Sequence, residues 1–81
     1  MEPSVSEAVR QLRKARNETG EQFGAIIGLS KGKVSQLESG TYRPSVAVAL
    51  EIERLSEGSI NAGDLNEDVR MARETGAAVQ S

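Results

Sequence analysis

Residues 20–45 read GEQFGAIIGLSKGKVSQLESGTYRPS, and the order of small, apolar and capping residues in this stretch decides the fold. Thr19 stands just ahead of it with Gln22 three residues on, the spacing of a capping box in which each side chain satisfies the other residue's backbone N–H. Phe23, Ile26 and Ile27 then supply apolar side chains for about two helical turns, and Gly28 stops the segment. Ser30 is placed to cap a second helix, running from about Lys31 to Ser39. Its apolar Val34 and Leu37 sit three apart, and Gly40 lies where a left-handed C-terminal residue is wanted. The turn between the helices, Gly28 to Ser30, needs positive φ, which glycine adopts without steric cost. Close crossing needs a small residue on the first helix, and Gly24 is small. Phe23, Ile27, Leu29, Val34 and Leu37 provide the apolar contacts that fix the crossing.

Working outward, Ser4 and Glu7 have capping-box spacing, and Val5, Ala8, Val9, Leu12 and Ala15 recur at three and four residues, so a helix is expected over about residues 5–17. Downstream, Thr41 to Pro44 reads as a loop, because Pro44 disfavours helical geometry at Arg43, and Ser45 is placed to cap the next helix. Val48, Ala49, Ile52 and Leu55 mark that helix from Val46 to Ser56, ended near Gly58. Asn61 caps one more short turn, with Ile60 and Leu65 packing back. After Asn66 the pattern weakens, although Val69, Met71 and Ala72 fall on one side of a marginal helix, and Ala77 to Ser81 are expected to be disordered. The whole reads as an all-α bundle of about five short helices. Residues 1–66 would form one domain and residues 67–81 a C-terminal tail, partly helical or disordered.

Composition narrows the chemistry. The 81 residues contain no Cys and no His, which removes disulfides, thiolate metal sites and zinc or haem ligation; neither a metal nor a cofactor is expected. No apolar run approaches the roughly 20 residues of a membrane span, and the N-terminus lacks the order of a secretory signal, so a cytoplasmic protein that does not engage membranes is expected. The formal net charge of −2 is unevenly spread. Residues 1–45 hold seven Lys and Arg against five acids, whereas residues 46–81 hold three against seven. One half suits a polyanion and the other suits solvent or a second subunit.

Two short helices joined by a tight turn have a specific use: the second enters the major groove of DNA while the first braces it across the backbone. The quoted stretch resembles the helix-turn-helix of the phage repressor and Cro superfamily, XRE-like proteins with a lambda-repressor-like DNA-binding domain. The resemblance runs from about Leu12 to Leu55 and rests on several positions in register: Gly24, Gly28, Leu29, Val34, Leu37, the E-x-G at Glu38 to Gly40, and the R-P at Arg43 and Pro44.

The resemblance implies that Lys31, Gly32, Lys33, Ser35 and Gln36 contact base edges. Their chemistry fits, since Lys donates to guanine O6 and N7, Gln bonds adenine bidentately and Ser suits either partner. It also implies an ion pair between Arg13 and Glu38, tying the first helix to the end of the recognition helix. Phosphate contacts are expected from the backbone N–H groups at Gly20 and from Ser39, Tyr42 and Arg43. In one respect the chain departs from the family, which often has Gln at the first position of the second helix where this chain has Gly20. The side-chain phosphate anchor is then missing.

These features lead to the expectation of a sequence-specific transcriptional regulator, a prophage repressor or Cro-like protein that binds a palindromic operator in double-stranded DNA as a homodimer. Ile60 to Met71 is the candidate dimer interface. An antitoxin-like autoregulator and a protein-interaction module on the same scaffold are the alternatives. Catalysis is not expected. There is no nucleophile–base set and no phosphate-cradling Gly loop, and Glu51 and Glu53 read as a solvated helix face.

Overall fold

A computed structural model describes residues 4–76 and places six helices among them: α1 (Val5–Ala15), α2 (Gly20–Ile27), α3 (Lys31–Ser39), α4 (Val46–Leu55), α5 (Ala62–Leu65) and α6 (Glu67–Glu74). No strand occurs among the described residues. The chain divides between Arg43 and Pro44 into two units. The expectation of disorder at Ala77 to Ser81 lies outside the described residues.

In the first unit α3 packs against α2 and α1. The N-termini are built as their residues suggest. Ser4 Oγ accepts the Glu7 N–H at 3.2 Å and Ser30 Oγ accepts the Lys33 N–H at 3.2 Å. At α2 the capping box is reciprocal, with the Gln22 N–H donated to Thr19 Oγ1 at 3.1 Å and the Thr19 N–H to Gln22 Oε1 at 2.9 Å. At α1 it is not, because Glu7 Oε1 instead accepts from the Gln11 amide. That helix ends at Ala15, two residues short of the expectation, since Asn17 turns left-handed with φ 56°; asparagine tolerates this region better than most residues. Ala15 is exposed rather than part of the apolar face, and so is Ile26 on α2. Val9, Phe23, Ile27, Val34 and Leu37 are the buried apolar side chains among the described residues of this unit.

In the second unit α5 packs against both α4 and α6. Ser45 caps α4 through the Val48 N–H, and Ser56, expected to be its last residue, is its C-cap. Residues 67–74 are fully helical. Asn66 accepts the Asp68 and Val69 N–H groups, and its side-chain amide donates to the Pro44 carbonyl at 2.9 Å. Ile60, Ala62, Leu65 and Val69 are buried within the chain. The candidate dimer interface at Ile60 to Met71 is therefore corrected: its apolar side chains are spent on the protein's own core, and Met71 is the large apolar residue of that stretch left exposed.

Candidate nucleic-acid interface

The turn between α2 and α3 is held by main-chain hydrogen bonds that demand small residues at two places. Gly28 adopts φ 82°, which lets the Leu29 N–H reach back to the Gly24 carbonyl at 2.8 Å. A Cβ on Gly24 would stand 2.3 Å from the Leu29 carbonyl oxygen and 3.1 Å from Val34 Cγ2. The close approach at Gly24 is thus to the turn's backbone first and to α3 second. With the brace fixed this way, the orientation of α3 follows from Val34 and Leu37, which are almost fully covered.

Gly32, Ser35, Gln36 and Ser39 face away from that contact, whereas Glu38 turns to Arg13. Lys31, Gly32, Lys33, Ser35 and Gln36 are all exposed. No hydrogen bond within the described residues engages the side-chain amide of Gln36, whose main-chain carbonyl instead accepts from the Ser39 and Thr41 hydroxyls and the Thr41 N–H. A Cβ on Gly32 would meet nothing within 4 Å. The Lys31 stem lies beside Gly20, its Cγ 3.7 Å from where a Cβ there would be. The Lys33 ammonium lies 4.6 Å from the centroid of the Tyr42 ring.

The residues named for phosphate border this surface. Gly20 opens α2, and Thr19 takes the Gln22 amide, which leaves the first amides of the helix without an intrahelical acceptor. Arg43 and Ser39 are exposed and Tyr42 is half-buried. The Ser39 hydroxyl is already committed in part, 3.0 Å from the Gln36 carbonyl and 3.0 Å from Thr41 Oγ1. Thr41, which the sequence reading passed over, shares in closing the end of α3.

Arg13 and Glu38 meet in a fork. Arg13 Nε donates to Glu38 Oε2 at 2.7 Å and Nη2 to Oε1 at 3.1 Å, while Nη1 reaches the Glu18 carbonyl at 3.0 Å. The hydrogen bond to Glu38 holds the Arg13 pKa above its ordinary value despite the opposing effect of burial. This geometry ties the end of α3 to α1 and, through Glu18, to the segment leading into α2.

Pairing sorts the cations of the chain. In the second unit every described Arg has an acidic partner: Arg54 with Glu51, Arg70 with Glu67 and Arg73 with Glu53. In the first unit Arg13 and Arg16 are paired, whereas Arg10 and Lys14 on α1 and Lys31, Lys33 and Arg43 on α3 and the loop after it form no ion pair among the described residues. Three of these five unpaired cations lie on α3 and the loop after it, and two on α1.

Glu53 corrects the reading of α4 as carrying a simply solvated acidic face. Its carboxylate accepts two hydrogen bonds from Arg73, at 2.8 and 2.9 Å, and one from the Ala62 N–H at 3.1 Å. The Arg73 hydrogen bond foremost lowers the Glu53 pKa to about 2. Arg73 also bonds the Asn61 side chain, and a Cβ on Gly63 would stand 3.2 Å from the Arg70 Cα, so α4, α5 and α6 are locked together.

A brace helix, a glycine turn and an exposed second helix carrying unpaired lysines define a helix-turn-helix, the architecture of DNA-binding regulators. The helix-turn-helix family model, of the XRE type, matches residues 9–55, more than half of the chain, and the protein belongs to that family. Neither the curated proteins nor the solved structures give a match. No helix among the described residues is long and apolar enough to cross a membrane.

Proposed function

We propose that the protein is a cytoplasmic transcriptional regulator of the phage repressor and Cro kind, which occludes a promoter by binding an operator and performs no catalysis. The observation that carries this reading is the exposed surface of α3, where Lys31, Gly32, Lys33, Ser35 and Gln36 are exposed and the lysines are not neutralised by any described carboxylate. Cations left without internal partners gain from displacing the counterions of a phosphate backbone. In the same way, a Gln amide with no partner among the described residues is available for bidentate bonding to adenine. Gln36 and Lys31, with Ser35 and Gly32, would address base edges, and Arg43, Tyr42, Ser39 and the Gly20 amides would hold the backbone.

A module of this size covers about one half-site, so specific binding calls for two copies on a palindrome with half-sites about one helical turn apart. Selection of duplexes from a random pool by the purified protein tests the reading in one step. The expected outcome is enrichment of an inverted repeat. Recovery of no preferred sequence, with only weak and strongly salt-dependent retention, would refute sequence-specific regulation and favour a protein-interaction role for the same scaffold.

A further inference from the structure

Lys33 and Tyr42 come from different segments, the start of α3 and the loop beyond its end, yet the ammonium sits over the ring at 4.6 Å. That is inside the roughly 6 Å at which a ring face attracts a cation. Successive residues on a helix are turned by about 100°. With Val34 and Leu37 marking the covered side, the direction opposite falls to Gly32, Ser35, Gln36 and Ser39. Lys33 is not in that strip. It lies on the flank next to Leu37, where the Tyr42 ring holds it.

Resting on the DNA-binding reading, we infer that Lys33 and Tyr42 act as one unit that grips a backbone phosphate at the edge of the groove, and that Lys33 does not read a base. The ring face fixes the ammonium to the flank of α3 while leaving N–H donors for a phosphate oxygen. The Tyr42 hydroxyl has no acceptor among the described residues and adds a neighbouring donor. No described carboxylate competes for the charge. A lysine is a point charge without the fork that makes arginine a planar reader, so a fixed lateral position suits it to phosphate. Tyr42 is the positioning residue of the pair.

Two measurements test this. In the free protein, the ring current should move the Lys33 Hε protons upfield in the wild type and in Tyr42→Phe, and return them to the random-coil position in Tyr42→Leu. Then the selected operator duplex and a scrambled duplex are titrated across a salt series. Lys33→Met should weaken both complexes by the same factor and reduce the slope of log affinity against log salt by about 0.9, so that the deficit narrows about threefold between roughly 50 and 200 mM salt. Tyr42→Leu should weaken both duplexes and leave Lys33→Met little further effect, and Tyr42→Phe should fall between wild type and Tyr42→Leu. Random-coil Hε shifts in the wild type would overturn the pairing. Loss confined to the operator duplex would make Lys33 a base reader and overturn the assignment while leaving DNA binding intact. Absence of binding to every duplex by the wild type would refute DNA binding itself, and the phosphate grip with it.

Discussion

Replacing Arg13 with Met and Glu38 with Leu, singly and together, probes the joint on which the orientation of α3 depends. The pair makes two parallel hydrogen bonds, and its side chains are 20% and 11% exposed, which places it between a surface bridge and a buried one. Surface pairs contribute up to about 1 kcal/mol, whereas stranding one member of a deeply buried pair costs about 3–5 kcal/mol. At this intermediate burial Glu38→Leu should cost about 2 kcal/mol. Arg13→Met should cost about 3 kcal/mol, because it also removes the bond to the Glu18 carbonyl. The double variant leaves no orphan charge and should lose only about 2–3 kcal/mol, well short of the roughly 5 expected from adding the single losses, a coupling of about 2 kcal/mol. For a chain of 81 residues the whole stability is about 4–12 kcal/mol, so either single change is a large fraction of it. Urea unfolding of the four proteins at one pH gives the cycle directly. Single effects that add to within about 0.5 kcal/mol would show that the fork carries no net interaction and would refute its role in orienting α3.

Four further outcomes are expected. Gln36→Ala and Lys31→Ala should each weaken operator binding by about 1–3 kcal/mol with a smaller loss on scrambled DNA, and equal losses on both would move them to the phosphate class. Arg43→Ala should weaken all duplexes alike and lower the salt slope by about one, which an unchanged slope would contradict. Because the Glu53 pKa is lowered to about 2, its pairing with Arg73 stabilises the fold above the ordinary carboxylate range, and that contribution fades as pH falls from about 4.5 towards 2. The full shift corresponds to about 3 kcal/mol, but Arg73 is 40% exposed, so about 1–2 kcal/mol is expected to vanish from the acid limb in Glu53→Gln; an unchanged acid limb would argue against the pairing. Gly24→Ala should cost at least about 2 kcal/mol in thermal or urea unfolding, whereas Gly32→Ala, meeting no neighbour, should be neutral or stabilising by up to about 1 kcal/mol. Similar effects at the two glycines would disprove the close approach at the turn.

What the sequence revealed of this fold is local. Thr19, Ser30, Ser45 and Asn61 each cap the helix they precede, and Gly28 and Gly40 end theirs with positive φ, because these choices are settled within a few residues of chain. The Arg13–Glu38 pairing, 25 residues apart, was visible only through family register, since nothing in its spacing announces a contact. Glu53 and Arg73 had no such register and were missed; two charges on separate helices look solvated until α5 brings them together. The helix at Glu67–Glu74 was legible in part, as Asn66 followed by Glu67 and Asp68 is a sound N-terminal signal, but its short apolar pattern hid how completely Val69 is buried. The proposed phosphate role of Lys33 was beyond the linear pattern, because it rests on the contact with Tyr42 across nine residues of chain.

The separation between what holds α3 and what α3 displays has a consequence for the proposed recognition. The contacts that fix the helix run through Gly24, Gly28, Leu29, Ser30, Val34, Leu37 and the Arg13–Glu38 fork, while the side chains of Ser35 and Gln36 and the open position at Gly32 make none of them. Variation at those three positions is therefore close to free in stability, and Gly32 has room for any side chain that a helix accepts. On the proposed reading, substitutions in this short strip would change binding preference while leaving the scaffold beneath it folded.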